Sequence, residues 1–196
     1  MLTKLAMDKE EINNLPPMDF DGEIIEIVSL EGVMRAVELL AQEKVLGFDT
    51  ETRPSFTKGE FYTPAILQLA NGTTAYVFRL KFFTIPDELI KILENPEILK
   101  VGIGIKDDLV GLGKIMKFKP AGFLELSEEV KKRGIPNPSL RTLTGIFLGK
   151  KLFKKAKTTN WERTDLTPAQ IKYAATDAVV GFLIHEKLLE MNISSR

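Results

Sequence analysis

The sequence predicts an α/β protein in which a mixed sheet is flanked by helices within a single domain. Segments with the alternating or continuous apolar pattern of strands are interleaved with segments whose apolar residues recur at helical spacing. The 196 residues are 44% hydrophobic, enough for one sizeable core, and contain no internal repeat or low-complexity tract. We expect an irregular N-terminal segment over residues 1–20 and one domain over residues 21–196.

The first half of the chain has the pattern of a strand, a helix and three further strands. The last two strands are joined by Asn71-Gly72, a strong tight-turn signal, so we expect the three to form a meander. The predicted segments are GEIIEIVS (strand, 22–29), LEGVMRAVELLAQE (helix, 30–43), VLGFDTE (strand, 45–51), AILQLANG (strand, 65–72) and TTAYVFRL (strand, 73–80).

The second half is predicted to contain one strand and four helices. The last helix has the clearest start signal, because Thr167 supplies an N-cap hydroxyl, Pro168 takes the first helical position and Gln170 completes a capping box. The predicted segments are PDELIKILEN (helix, 86–95), LKVGIGI (strand, 99–105), a helix from about 106 to 116, PSLRTLTGIFLGK (helix, 138–150) and a helix from Pro168 to about Glu190.

Composition excludes several kinds of chemistry. The chain has no cysteine and one histidine, His185, which excludes disulfides, thiolate catalysis, multi-histidine zinc sites and histidine-based triads. We expect His185 to be structural or exposed. Lys plus Arg equals Asp plus Glu, 27 each, so net charge indicates no partner. The start of the chain lacks the apolar run of a signal peptide, and no stretch is long enough to span a membrane. We expect a soluble protein in the reducing cytoplasm.

Two carboxylates stand at the end of an apolar strand, in VLGFDTE. Asp49 and Glu51 are two residues apart, so they project from the same face of the strand, with Thr50 on the other. Like charges this close repel unless a cation or a shared proton holds them, which makes the pair a candidate metal site. The alternative is that they are ordinary acidic residues at a strand end.

Three further residues have the chemistry for a site with these carboxylates. Tyr173 and Asp177 are four apart in the last predicted helix, so they share a face. The small residues beside them, Ala174, Ala175 and Ala178, would let a strand or ligand come close. Asp108 stands where a strand gives way to a helix, and its alternative role is a helix cap. Carboxylates are hard ligands suited to Mg²⁺ or Mn²⁺, and two such ions about 4 Å apart can serve phosphodiester cleavage.

These residues carry a resemblance to a known superfamily. FDTE with an ILQL strand, then GIKDD, then NW and YAATDA resemble, in order and approximate spacing, the three motifs of the DEDD 3′-5′ exonucleases. The last motif has the tyrosine variant found in ribonuclease D and the Werner-syndrome type of exonuclease. The likeness covers about residues 22–190, and SLRTLTGIFLGKKL favours the Werner type. The resemblance implies a ribonuclease H-like fold and a 3′-5′ exonuclease domain over residues 21–196.

The resemblance also implies roles for the matching residues. Asp49, Glu51, Asp108 and Asp177 would bind two divalent cations, Mg²⁺ or Mn²⁺, with Asp49 bridging both and Asp108 acting through water. Tyr173 would orient the attacking water. The substrate would be the 3′ end of DNA or RNA, and the product a 5′-mononucleotide; which nucleic acid, and the oligomeric state, stay open. No helicase motif is recognised, so we expect structured substrates to require a helicase or another nucleic-acid-processing partner.

Some alternatives remain open at this point. The protein could be a catalytically silent nucleic-acid-binding adaptor on the same fold, or a phosphohydrolase of small molecules. The five lysines of residues 150–157, with Arg141, would track phosphates or form a solvated face. The loop aromatics Phe56, Phe61 and Tyr62 would stack on a terminal base or pack as a lid. Trp161 is interpreted as a packing residue that anchors the last helix.

Overall fold

A computed structural model describes residues 6–57, 59–136, 138–153 and 159–193 of the chain. Within these residues, six strands form one mixed sheet. The strands are β1 (Glu23–Ile27), β2 (Val45–Thr52), β3 (Pro64–Ala70), β4 (Thr74–Arg79), β5 (Leu99–Gly102) and β6 (Phe123–Glu125). Their order across the sheet is β1-β4-β3-β2-β5-β6.

The predicted meander is confirmed as the antiparallel centre of this sheet. Strand β3 pairs antiparallel with β2 on one side and β4 on the other, whereas β1, β5 and β6 add in parallel at the edges. The Asn71 side chain accepts from the backbone N–H groups of Thr73 and Thr74 and closes the β3–β4 turn. In the β2–β3 register, Asp49 lies opposite Gln68 and Glu51 opposite Ile66.

Helices cover both faces of the sheet. The helices are α1 (Lys9–Asn14), α2 (Leu30–Leu40), α3 (Asp87–Glu94), α4 (Ile105–Leu112), α5 (Leu126–Lys131), α6 (Leu140–Leu143) and α7 (Pro168–Ile193). A 3₁₀ turn occupies Leu80–Phe82, and a π-helical turn, Thr144–Leu148, continues α6. No helix in the described ranges is long and apolar enough to cross a bilayer.

The core divides into two layers on opposite faces of the sheet. On one face, α2, α3 and α4 pack over β2, β3 and β4, with α2 contributing Val33, Ala36, Val37 and Leu40 at helical spacing. On the other face, α7 packs across the centre of the sheet and α5 and α6 complete the layer beside it. The long helix α7 therefore lies on the face of β2 that carries Asp49 and Glu51.

The C-terminal helix starts as the sequence predicts. The Gln170 backbone N–H donates to the Thr167 hydroxyl over 3.3 Å, and the Gln170 side-chain oxygen accepts from the Thr167 N–H over 3.0 Å. This is the predicted capping box.

The structure differs from the sequence prediction at three places. Residues 9–14 form helix α1 inside the segment expected to be irregular, and Asp8 and Glu11 close a capping box around its first turn. Strand β6 and helix α5 were not predicted, because both are short and β6 has no distinct apolar pattern. The helix expected over residues 138–150 is regular in its first turn alone and then widens into the π-helical turn.

Candidate active site

The site is built where β2 and α7 touch. A Cβ placed on Gly47 would lie 1.9 Å from the backbone oxygen of Ala178, so the two backbones meet at a distance that glycine alone permits. Ala174, Ala175 and Ala178 are completely buried against the sheet. The prediction that small residues on this helix allow a strand to approach closely is confirmed.

Three of the predicted acidic residues converge at this contact. Asp49 and Glu51 project from β2 and Asp177 from α7, and one carboxylate oxygen of each lies within 4.8 Å of the others. Within the described residues this is the one cluster of three or more His, Cys, Asp or Glu side chains with such spacing. Glu51 is 7% exposed, whereas Asp49 and Asp177 are partly open to solvent.

The carboxylates of this cluster raise one another's pKa by charge repulsion. Burial raises the pKa of Asp49 well above its ordinary value, and repulsion from Asp177, Glu51 and Asp108 raises it further. Three oxygen ligands from a rigid strand and helix, with mutual repulsion, form a donor set suited to hard divalent cations.

Asp108 lies beside the cluster but outside its closest group. Its Oδ1 accepts a hydrogen bond from the hydroxyl of Thr50, which projects from the opposite face of β2 to Asp49. Burial raises the pKa of Asp108 to about 6. The alternative role as a helix cap belongs to Glu125 instead, whose Oε2 accepts from the N–H groups of Gly104 and Ile105 at the start of α4.

Tyr173 stands one helical turn before Asp177. Burial raises the pKa of its hydroxyl above the ordinary value, and the neighbouring Asp177 and Glu51 carboxylates and a hydrogen bond to Asp177 act in the same direction. Its ring packs against Trp161, with ring centroids 6.1 Å apart. Trp161 is completely buried in the layer between α7 and the sheet, which confirms its interpretation as a packing residue.

The other sequence candidates lie around the site or apart from it. Phe56 and Phe61 are 85% and 84% exposed, whereas Tyr62 lies under the guanidinium of Arg53. His185 is buried, and burial lowers its pKa. These positions leave Phe56 and Phe61 available to a substrate.

The predicted basic stretch falls partly outside the described residues, at Lys154, Lys155 and Lys157. Lys151, a described residue of this stretch, donates to the backbone oxygen of Asn13 over 2.7 Å. Arg141, which was considered with the stretch, donates to the Asn13 side chain. Both therefore hold the end of helix α1 in place.

Two arginines contact the segment before α7, and no local sequence pattern indicates these contacts. Arg79, 2% exposed, donates to Glu26 and to the backbone oxygens of Arg163 and Thr164, and so anchors the segment that leads into α7. Arg53, just after β2, donates to Glu162 over 3.3 Å in the same segment. These pairs are separated by 53 to 109 residues in sequence, so no local pattern could indicate them.

A cavity of about 640 Å³ opens beside Tyr173 and Asp177. Met18, Leu152 and Phe153 line it together with polar and charged residues of the first turns of α7 and of the segment before that helix. The acidic cluster therefore borders, through Asp177, a space large enough for a small organic group.

Comparison with known proteins gives a consistent result. Residues 24–192 match the family model described as 3′-5′ exonuclease. The chain is 32% identical over 186 residues to the bifunctional 3′-5′ exonuclease/ATP-dependent helicase WRN of Mus musculus, covering 90% of this chain and 13% of the mouse protein. It is 30% identical over 207 residues to a 3′-5′ exonuclease of Arabidopsis thaliana, covering 96% of this chain and 71% of that protein.

A solved structure shares the fold. Escherichia coli RNase D, described as an exoribonuclease involved in structured RNA processing, superposes with a TM-score of 0.79 at 21% identity, covering 91% of this chain and 46% of that one. The predicted ribonuclease H-like mixed sheet flanked by helices is thereby confirmed.

Proposed function

Because this chain belongs to the 3′-5′ exonuclease family, we propose that it is a DEDD exonuclease of the tyrosine type. It shortens DNA or RNA from the 3′ end and releases 5′-mononucleotides. The observation that carries the proposal is the convergence of Asp49, Glu51 and Asp177 within 4.8 Å, with Tyr173 one turn from Asp177. All five motif positions keep their functional groups, which disfavours a catalytically silent adaptor.

The acidic cluster fits two divalent cations, Mg²⁺ or Mn²⁺. Asp49, Glu51 and Asp177 would hold them, and Asp108 would contribute from beside the cluster. When bound, such a pair acidifies water and stabilises the attacking and leaving oxygens of a phosphodiester. The raised pKa of Asp49 supports this fit, since a bound cation would offset both the burial of the carboxylate charge and the repulsion from its neighbours.

Tyr173 orients the attacking water instead of removing its proton. Its pKa lies above the ordinary value for tyrosine, so the hydroxyl stays protonated at neutral pH and acts as a hydrogen-bond donor. Packing against the buried Trp161 fixes the direction of that donor. The role is therefore positioning of the reacting water, which a preorganised group performs at no reorganisation cost.

The surroundings of the site support a polymeric substrate. The exposed rings of Phe56 and Phe61 can stack on unpaired bases at a frayed 3′ end, because every base has a π face. The cavity beside Tyr173 and Asp177 gives a terminal nucleotide room to enter. We further propose that a helicase or similar partner opens structured substrates. The mouse relative supports this proposal, because its name gives both a 3′-5′ exonuclease and an ATP-dependent helicase.

The absence of cysteine suits a reducing compartment, and we propose that the protein acts in the cytoplasm.

The test is digestion of end-labelled single-stranded DNA, single-stranded RNA and 3′-recessed duplex DNA. Wild type is expected to produce a ladder of stepwise 3′ shortening with Mg²⁺ or Mn²⁺ and none with chelator. Asp49→Asn is the matched inactive control, because it keeps the shape of the side chain and removes one ligand charge.

Folded wild-type protein that shortens none of these substrates with either ion would contradict the proposal. Cleavage of free nucleotides without cleavage of oligonucleotides would support the small-molecule phosphohydrolase instead. Release of the 5′-terminal nucleotide as the first product from a 5′-labelled oligonucleotide would contradict the proposed direction of attack.

A further inference from the structure

A glutamine next to the acidic cluster has no hydrogen-bond partner among the described residues. Gln68, on β3, is completely buried, and both its amide nitrogen and its amide oxygen are unpartnered. Burying such a group without partners costs about 1–3 kcal/mol for each donor or acceptor. A buried glutamine in this state therefore requires a role that offsets its cost.

The register of the sheet sets Gln68 beside Asp49. The two residues are directly opposite on β3 and β2, so their side chains project from the same face, with Cβ atoms about 5 Å apart. The sheet residues that flank Gln68 on this face are apolar: Ile66 and Ala70 on β3, and Val77 opposite it on β4. Within the sheet, Asp49 lies directly opposite Gln68 and therefore offers the Gln68 amide a carboxylate acceptor.

A second unpartnered group lies in the same layer. The indole nitrogen of Trp161 is buried without an acceptor in the part of the chain that the structure describes. Trp161 packs in the cluster formed by Ile66, Ala70 and Val77, the same residues that surround Gln68. The two groups have complementary needs. The indole N–H requires an acceptor, which the carbonyl oxygen of Gln68 can supply, and the NH₂ group of Gln68 requires an acceptor of its own.

We propose that Gln68 is a positioning residue for the metal-binding carboxylates. Its amide N–H groups donate toward the carboxylate of Asp49, and its carbonyl oxygen accepts from the indole N–H of Trp161, in each case through a buried water. The proposal deepens the proposed exonuclease function and rests on it for the identity of the ligands. It gives Trp161 a second role beyond packing against Tyr173.

The physical consequence is a fixed orientation for a ligand oxygen. A carboxylate that binds a cation with one oxygen can rotate away unless its other oxygen is held, and partners of this kind commonly change metal affinity about 10- to 100-fold. Gln68 would supply this restraint from the neighbouring strand, and Trp161 would in turn fix the amide.

The test is Mn²⁺ binding to the full chain, measured by calorimetry without nucleic acid. Gln68→Met keeps the length of the side chain and removes its polar atoms, and we expect it to weaken Mn²⁺ binding about 10- to 100-fold. Trp161→Phe keeps a ring and removes the N–H, and we expect a smaller loss. The double variant is expected to bind no more weakly than Gln68→Met, because Trp161 acts through Gln68.

Gln170→Met is the matched control. Gln170 is also buried, but its amide is satisfied by Thr167 and Thr159 at the start of α7. We expect this variant to lower the melting temperature and leave Mn²⁺ affinity within about twofold of wild type.

Mn²⁺ affinity of Gln68→Met within about twofold of wild type would overturn the proposal, and so would losses that multiply in the double variant. If Gln68→Met does not fold, Trp161→Phe provides the test. Unchanged Mn²⁺ affinity in that variant would contradict the proposed contact between Trp161 and Gln68. Because binding is measured without substrate, these outcomes are independent of whether wild type shortens oligonucleotides.

Discussion

Gly47 and Ala178 are in backbone contact: a Cβ added to Gly47 would lie 1.9 Å from the Ala178 oxygen and 2.7 Å from its carbonyl carbon. Gly47 is two residues before Asp49, and Ala178 directly follows Asp177. The contact therefore sets the distance between the carboxylates that β2 and α7 contribute to the site.

Replacing Gly47 by alanine is expected to separate the strand from the helix. The new methyl group meets backbone atoms, which cannot rotate away, so we expect a loss of at least about 1–3 kcal/mol in the free energy of unfolding. Exonuclease activity of the remaining folded protein should also fall, because the carboxylates move apart. Urea denaturation and oligonucleotide digestion measure the two effects.

Gly32→Ala is the control for this prediction. An added Cβ there would lie 3.3 Å from Ile27 Cγ2 and 3.4 Å from Ser29 Oγ, which are side-chain atoms, and alanine favours the helix by up to about 1 kcal/mol. We expect this variant to retain wild-type stability and activity. Equal losses in both variants would show that the Gly47 contact has no special importance.

Asp49→Asn is expected to stabilise the metal-free protein, increasingly as pH rises. The pKa of Asp49 is higher in the folded than in the unfolded chain. At a pH between these two pKa values, the folded state therefore binds more protons than the unfolded state. Stability of wild type therefore falls as pH rises through this window, a penalty the variant lacks. Melting temperatures with chelator, from about pH 5 to pH 8, should show a growing advantage for the variant.

Addition of Mn²⁺ should reverse this order. Wild type gains stability by binding the ion in the folded state, whereas Asp49→Asn has lost a ligand charge and gains less. A variant that melts below wild type at every pH with chelator would indicate that Asp49 has a structural partner instead of repulsive neighbours.

Tyr173→Phe is expected to lower kcat by an order of about 10² while leaving Mn²⁺ affinity unchanged. The hydroxyl orients the reacting water but is not among the carboxylates expected to bind the ions. Because its pKa is raised above the ordinary tyrosine value, the loss should be the same across neutral and mildly alkaline pH. Single-turnover rates against pH test this, and a loss confined to alkaline pH would favour a tyrosinate base.

Arg79→Met is expected to destabilise the protein by about 2–3 kcal/mol. Hydrogen bonds to a charged group contribute about 1.5–3 kcal/mol, and two backbone oxygens lose their donor in this variant.

Lys81→Met is the control. Lys81 also donates to the segment before α7, through the Glu162 oxygen over 2.8 Å, but its side chain is exposed to water. Chemical denaturation should show a small change for Lys81→Met, and similar losses in both would contradict the importance of burial.

Much of the fold is predictable from local patterns. The meander follows from apolar runs around Asn71-Gly72, and α7 follows from the signal at Thr167-Pro168 and from helical spacing. Short elements such as β6 escaped prediction because three residues carry no period. The helix expected over residues 138–150 widened into a π-helical turn, which has no residue signature of its own.

The sequence by itself determined which chemical groups the site contains. Strand alternation places Asp49 and Glu51 on one face, and helical spacing places Tyr173 with Asp177. The absence of cysteine and the single histidine leave carboxylates as the candidate metal ligands. Each of these conclusions depends on residues a few positions apart, where backbone geometry alone fixes the relation of the side chains.

Tertiary structure alone decided how these groups meet. Residues as distant as Gly47 and Ala178 come into contact because α7 docks on the centre of the sheet, and Asp108 binds Thr50 because α4 docks on the opposite face. The burial of Gln68 beside Asp49 depends on the register of two strands packed under that helix. Such contacts result from the packing of whole faces, which no short stretch of sequence encodes.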